Sequence, residues 1–445
     1  MILTVRANAQ CIALPFDSHF PKFFFVEPRL ASFLGLIVFI ALPWVGSRHR
    51  RLFPWRTVLS GLALQFVFAL IILKTAAGRQ VFDFAQRSVS KLIGFANEGA
   101  RMVFGPLADS SALTGSFGPR NGLVLAITVT ATIILVSALS SLFYHWGILQ
   151  RVVHAMGWVM QRVMRTSGSE SLAAAANIFT GQTEAPLLIQ PLLPRMTQSE
   201  LLAMMTGGMA TIAGGVLAVY VSFGESVGRM DMAGHLLTAS VMSAPAALLV
   251  SKVFLPETEI SETAGHTRPE IQRTAVNSID ALCRGASDGM MLSLNVIAML
   301  IAFVAIVALA NYLFVLPQRQ FGSAAPVTLQ ALFGWINAPF AWLMGVPSKD
   351  CLAIGDILGQ RIVLNEFVGY LSLTGQKAGL DDRSFTLATY ALCGFANFGS
   401  IAIQIGGIGS LAPTRRGDLA RFGLRAMAGG LFASYMTAAI VGLLL

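Results

Sequence analysis

The sequence predicts an all-α polytopic membrane protein with about eight transmembrane helices and two re-entrant hairpins, built as inverted repeats whose helices are interrupted near the midplane. Three observations lead there. The 445 residues are 55% hydrophobic and only 12% charged, with mean hydropathy +0.68, far too apolar for a soluble fold. Two glutamates, Glu184 and Glu366, stand inside runs that otherwise read as membrane core. A carboxylate at that depth costs about 2.5 to 3.5 kcal/mol on insertion scales, so it needs a partner or a ligand. Each glutamate is followed by a glycine-rich cassette, Gly208-Met-Ala-Thr-Ile-Ala-Gly214 and Gly394-Phe-Ala-Asn-Phe-Gly-Ser400. The glutamates lie 182 residues apart and the cassettes 186, the mark of an internal duplication.

Residues 1–29 mix charges with prolines, lack a continuous apolar core, and read as a loose extension rather than a signal peptide. Apolar segments follow at 30–45 and 57–73, and between 79 and 103 Phe82, Phe84, Val89, Leu92, Ile93 and Phe95 are interleaved with Asp83, Arg87 and Lys91. That pattern fits an amphipathic helix lying at the interface. Residues 30–121 therefore form a leading unit. Further spans are expected at 122–144, 201–222, 234–254, 290–316, 386–408 and 426–445. Two apolar regions, 150–195 and 328–373, are broken by Gly, Pro, Asn and Glu near their middles, and a single helix cannot pass through Thr180-Gly-Gln-Thr-Glu-Ala-Pro186. Re-entrant hairpins suit them, because non-helical backbone at membrane depth is tolerated only where it lines a polar cavity or is buried in protein. Span, hairpin and two spans make three crossings, so the repeat 276–445 starts on the opposite side from the repeat 122–275. The basic loop Gly46–Arg56 places its own side in the cytoplasm and both termini outside.

The net charge of +9 does not point to nucleic acid, because the arginines concentrate in short loops where they set orientation. Cys11, Cys283, Cys351 and Cys393 have neither metal-ligand spacing nor a disulfide framework. Gly224-Glu-Ser-Val-Gly228 matches a nucleophile-elbow pattern around Ser226, but it follows an apolar helix instead of joining a strand to a helix. No P-loop is present. A channel would also use repeats and polar breaks, but carboxylates on two hairpins resemble an occluding site more than a pore ring.

The polar side chains of the broken segments define the ligand class. Glu184 and Glu366 accept hydrogen bonds, Gln182 and Asn397 both donate and accept, and Thr183 and Ser400 carry hydroxyls. No basic residue accompanies them in these motifs, which disfavours a phosphorylated or carboxylate substrate. A neutral polyol bearing amide-like groups fits, with Phe395 as an apolar wall. Asp288 and Asn295, at helical spacing, read as helix-packing residues.

Several segments together carry a resemblance spanning nearly the whole chain from residue 30: Gly181-Gln-Thr-Glu-Ala-Pro-Leu-Leu188, Ser243-Ala-Pro-Ala-Ala247, Trp342-Leu-Met-Gly-Val-Pro347, Asn365-Glu-Phe-Val368, Ala391-Leu-Cys-Gly-Phe-Ala-Asn-Phe398 and Ile401-Ala-Ile-Gln-Ile-Gly-Gly407. They resemble the concentrative nucleoside transporter family. The resemblance implies no enzyme but a homotrimeric importer in a bacterial inner membrane, both termini periplasmic. It would carry nucleosides of the uridine, cytidine and adenosine class by an elevator-like motion coupled to Na⁺ or H⁺. By motif position it places Gln182, Thr183 and Glu184 toward the nucleobase with Val216 packed against it. Glu366, Asn397 and Ser400 fall to the ribose, and Phe395 to the pocket lining. Asn177, Thr180, Thr211 and Ile212 match the family's sodium site. Ser348 and Gly369 stand where the family usually has tryptophan and alanine.

Overall fold

A computed structural model of the chain describes residues 26–117, 124–263, 275–322 and 326–445, and these residues hold helices and no strands. The expected N-terminal extension, with Cys11, lies almost wholly outside them. The leading unit comprises α1 (Pro28–Val45), α2 (Trp55–Lys74), α3 (Ala76–Phe104) and the short α4 (Ser110–Phe117). Pro28 opens α1 at a position where a missing N–H does no harm. Thr75 starts α3 by accepting the Gly78 N–H at 2.9 Å. α3 exposes Val81, Phe84 and Phe95 and buries Ile93, Ala96 and Ala100, so it is the expected amphipathic helix.

After the leading unit, one order of elements occurs twice. The first series is α5 (Leu125–His145), α6 (Ile148–Met164), the pair α7 (Gly168–Asn177) and α8 (Ala185–Leu188), the pair α9 (Gln198–Ala210) and α10 (Gly214–Ser226), and α11 (Met232–Phe254). The second is α12 (Ser278–Gln320), α13 (Leu329–Leu343), the pair α14 (Cys351–Val363) and α15 (Glu366–Gly375), the pair α16 (Asp382–Leu392) and α17 (Phe398–Leu411), and α18 (Arg416–Leu444). Equivalent elements pack on each other, α5 along α12 and α11 along α18. The core is formed by α9, α10, α11 and α18, while α12 is peripheral. Within the apolar window of each helix, 89% of α11 is buried but only 12% of α12.

The structure corrects the bounds of six expected segments. The hairpins are shorter than 150–195 and 328–373, because α6 and α13 are separate helices that precede them. α6 is stopped by Arg165, in the left-handed region at φ 55°, and α7 is restarted by a capping box between Ser167 and Glu170. The expected span 201–222 is two helices broken at 211–213, and 386–408 is two broken at 393–397. Among the described residues, seven helical stretches are long and apolar enough to cross a membrane, with the broken Gln198–Ser226 counted as one. The sixth span begins at Ser278, where the Asn277 side chain caps α12 by accepting the Asp280 N–H at 2.9 Å. The last begins at Arg416, so Arg416, Arg421 and Arg425 lie on α18 instead of ahead of it.

The two broken helices meet at their breaks. Gly394 has φ +153°, and a Cβ there would sit 2.7 Å from the Met209 carbonyl oxygen and 2.8 Å from the Ala210 carbonyl carbon. Only glycine lets the second break press against the end of α9. Gly394→Ala should therefore cost about 1–3 kcal/mol by overpacking and backbone strain. Thermal unfolding of the detergent-solubilised protein is expected to show a lowered Tm. Gly406→Ala, with open space around its Cβ, should leave Tm unchanged or slightly raised.

Candidate functional site

The centre of the molecule is a chain of polar contacts that runs from one half to the other. Asn397 caps α17: its Oδ1 accepts the Ser400 N–H at 2.9 Å. That bond fixes the orientation of the amide, so Nδ2 must face the other way, and it donates to Glu366 Oε2 at 3.0 Å. The second carboxylate oxygen, Oε1, accepts from the Tyr220 hydroxyl on α10 at 2.9 Å. Glu366, at the first position of α15, is buried. The carboxylate is thus held by one donor from each half of the chain.

A second set of contacts adjoins it through Ser400. Gln182 Nε2 donates to Ser400 Oγ at 3.1 Å, and Gln182 Oε1 accepts from Gln404 Nε2, also at 3.1 Å. Gln404 Nε2 donates in addition to the Met205 carbonyl at 3.0 Å. The approach depends on Gly208, where a Cβ would lie 2.9 Å from both the Gln182 Cβ and Gln404 Nε2. Val216, in the first turn of α10, is buried, and Phe395 is half-buried within the second break. Thr183 sits over Gly407, where a Cβ would come within 2.8 Å of its methyl carbon. Glu184 is not part of this chain of contacts. Its Oε2 accepts the Gly181 N–H at 3.2 Å across the hairpin turn, and the side chain is exposed.

Asn177, Thr180, Thr211 and Ile212 come from two segments that the fold brings side by side. The Gly214 N–H donates to the Phe179 carbonyl at 3.2 Å, joining the first hairpin to the first break. Asn177 is buried, and among the described residues neither its Oδ1 nor its Nδ2 has a hydrogen-bond partner. Thr180 and Thr211 donate to the carbonyls of Ala176 (2.9 Å) and Gly207 (3.0 Å), which leaves their hydroxyl lone pairs free. This is a set of neutral, hard oxygens, and it suits a small monovalent cation better than a transition metal.

Two polar clamps hold the edges. At one, the Lys252 ammonium bonds Glu170 (2.8 Å), Glu257 (3.2 Å) and Ser199 (2.9 Å). At the other, Arg229 grips Asp231 with two bonds of 2.9 Å and also bonds Asp382 and Thr386, tying the α10–α11 turn to the start of α16. Burial would raise the Asp231 carboxyl, but hydrogen bonds from His235 and Arg229 outweigh it and hold the group well below the usual range.

Sequence reasoning missed Tyr220 and Gln404. Each stands four residues, one helical turn, beyond a residue it had singled out, Val216 and Ser400. Arg361, the base closest in sequence to Glu366, is fully buried but donates to the Ala391 carbonyl and to Ser434 Oγ instead. Ser226 closes α10, and its hydroxyl donates to the Phe223 carbonyl at 2.7 Å, so it is a helix-end residue and not a nucleophile on an elbow. Asp288 and Asn295 are exposed on α12, away from its contact with α5.

Three family models match the chain: Na⁺ dependent nucleoside transporter N-terminus over residues 34–107, nucleoside recognition over 126–227, and Na⁺ dependent nucleoside transporter C-terminus over 235–442. An uncharacterized transporter of Haemophilus influenzae is 42% identical over 420 residues, 93% of this chain and 97% of that protein. Sodium/nucleoside cotransporter 1 of Rattus norvegicus is 38% identical over 435 residues, 94% of this chain and 64% of the rat protein. The solved structure of CNTnw in an inward-facing substrate-bound state is similar at TM-score 0.85 and 38% identity, covering 94% of this chain and 97% of CNTnw. A CNTnw variant in an outward-facing state is similar at TM-score 0.85 and 37% identity, covering 93% and 97%.

Proposed function

Because the chain belongs to the concentrative, Na⁺-dependent nucleoside transporter family, we propose that it is a secondary active importer that carries nucleosides inward with Na⁺ by alternating access of an elevator type. The observation that carries this reading is the buried Glu366 carboxylate, held by Tyr220 and Asn397 and continued through Ser400 to Gln182 and Gln404.

Glu366, Asn397 and Ser400 take the ribose hydroxyls. An ionised carboxylate accepts from a diol through charge-assisted bonds of about 1.5–3 kcal/mol each. Tyr220 does not reach for substrate in this scheme; it fixes the rotamer of Glu366. Gln182, Thr183 and Glu184 meet the nucleobase, Val216 packs on its face, and Phe395 lines the pocket. The same charge pattern sets selectivity. With acidic and neutral groups at the centre and no basic side chain bonded to either carboxylate, a nucleoside is accepted and its phosphorylated form is repelled.

Asn177, Thr180, Thr211 and Ile212 hold the co-transported sodium ion, whose need for oxygen ligands matches the unpartnered Asn177 amide and the free threonine lone pairs. Filling this site orders the tip on which Gln182 and Glu184 are mounted, because the Gly214–Phe179 bond joins that tip to the first break. Ion and nucleoside then bind cooperatively, as two ligands that order one element. Residues 122–275 and 276–445 are the two inverted repeats, and 30–121 lies on their scaffold side. The chain works as a homotrimer in a bacterial inner membrane, with the arginine-rich loop Gly46–Arg56 in the cytoplasm and both termini in the periplasm.

Glu366→Gln keeps the shape of the side chain but halves its acceptor capacity and removes its charge. It should weaken uridine binding by more than about 1 kcal/mol, at least fivefold in Kd, in a protein that still folds. Unchanged affinity in the folded variant rules out the ribose role. Uptake of labelled uridine with sodium replaced by choline at fixed pH should fall to background. Uptake that persists in choline and tracks pH assigns the coupling to protons.

A further inference from the structure

A large cavity lies away from the proposed nucleoside site. It has a volume of about 1280 Å³ and opens between the start of α2, the outer face of α6, the first turn of α7 and the end of α11. Arg56, Arg162 and Arg165 line it, together with His154, Trp158 and the Lys252 clamp. Two of its acids, Glu170 and Glu257, share the Lys252 ammonium, which offsets one of their two charges. Among the described residues the three arginines have no carboxylate within ion-pair distance, and all are exposed. With Glu259 as the third acid, four basic side chains of the lining face three carboxylates, and the positive excess lies on the guanidinium side of an open volume.

Position and size point to one class of ligand. Trp158 and Leu52 at the cavity mouth and Trp55 beside it are 65%, 53% and 68% exposed. Tryptophans and arginines in this arrangement sit at headgroup depth in a bilayer. The amphipathic α6 supplies Arg162 and Arg165 from the same stretch as Trp158. Arg165 is also the one non-glycine residue with positive φ among the described residues, and such backbone strain clusters at ligand clamps. The volume exceeds that of a typical small-molecule pocket and is far beyond what a free phosphate ion fills. The loop that leads into Arg56 also carries Arg48, Arg50 and Arg51 in sequence, and basic pockets between transmembrane helices bind lipid phosphates.

We propose that this cavity binds the phosphate headgroup of an anionic phospholipid, with Arg56, Arg162 and Arg165 as the residues that bond the phosphate oxygens. The lipid then adds a further bridge between α2, α6 and the base of the first hairpin, which already pack on one another beside the cavity.

The test compares phosphatidylglycerol, phosphatidylcholine and inorganic phosphate added to the purified full-length chain in detergent, with thermal unfolding as the readout. Phosphatidylglycerol should raise Tm by several degrees, and phosphatidylcholine and inorganic phosphate should not. Arg162→Gln combined with Arg165→Asn, the latter chosen because asparagine tolerates the left-handed backbone, should abolish the rise. Arg421→Gln with Arg425→Gln, which lowers the charge outside the cavity, should keep it. Where the double cavity variant fails to fold, Arg56→Gln gives the same readout and should at least halve the rise. An equal rise with phosphatidylcholine, an equal rise with inorganic phosphate, or a full rise retained in the cavity variants overturns the proposal.

Discussion

Glu366 sets the terms for the rest of the structure. A carboxylate buried at the centre of a helical bundle must be compensated, and the nearest base in sequence, Arg361, spends its bonds on Ala391 and Ser434. Two charge-assisted bonds from neutral donors, at about 1.5–3 kcal/mol each, are enough to offset an insertion cost of about 2.5–3.5 kcal/mol. No basic side chain bonds the carboxylate directly, and Arg361 acts on it only through space. A substrate that offers hydroxyls can then replace or add to those donors, whereas an arginine clamped on Glu366 would have closed the site. The carboxylate is stable enough to be buried and free enough to bind.

That arrangement requires both halves of the chain. Tyr220 arrives on α10 and Asn397 on the first residue before α17, and each helix can point inward only because its predecessor stops short. The breaks at 211–213 and 393–397 are therefore part of the proposed binding site. They turn a helix end and its capping side chain toward the centre, and they touch each other where Gly394 packs on Met209 and Ala210. The edge clamps around Lys252 and Arg229 tie together the outer ends of neighbouring elements.

Much of this was readable in the sequence, and the limits were physical. The membrane class, the duplication and the polar residues of the breaks follow from composition and from glutamates that an apolar run would not carry without cause. The amphipathic α3 followed from its interleaved aromatics and charges. Boundaries were less legible. Hydropathy does not register a left-handed residue such as Arg165 or a capping box such as Ser167 with Glu170, so α6 merged with the first hairpin. The cassettes match in composition, yet the first break falls three residues after Gly208 and the second directly at Gly394. Tyr220 and Gln404 escaped because a tyrosine and a glutamine within apolar helices read as ordinary packing until their partners, far away in sequence, are known. The large arginine-lined cavity was invisible for the same reason, since its walls come from four separate segments.

The central claim is that donors from the two repeats act on nucleoside through one shared carboxylate. A double-mutant cycle of Tyr220→Phe and Asn397→Ser, with uridine binding in sodium followed by titration calorimetry, tests it most directly. Serine retains the capping of α17, so the change removes the amide's bond to Glu366 and its own reach to the ribose without undoing the helix start. Two residues that share Glu366 should show a coupling of about 0.5–3 kcal/mol in binding free energy, with the double variant departing clearly from the sum of the singles. Losses that add to within about 0.3–0.5 kcal/mol would mean that the two side chains act independently, and would contradict the account.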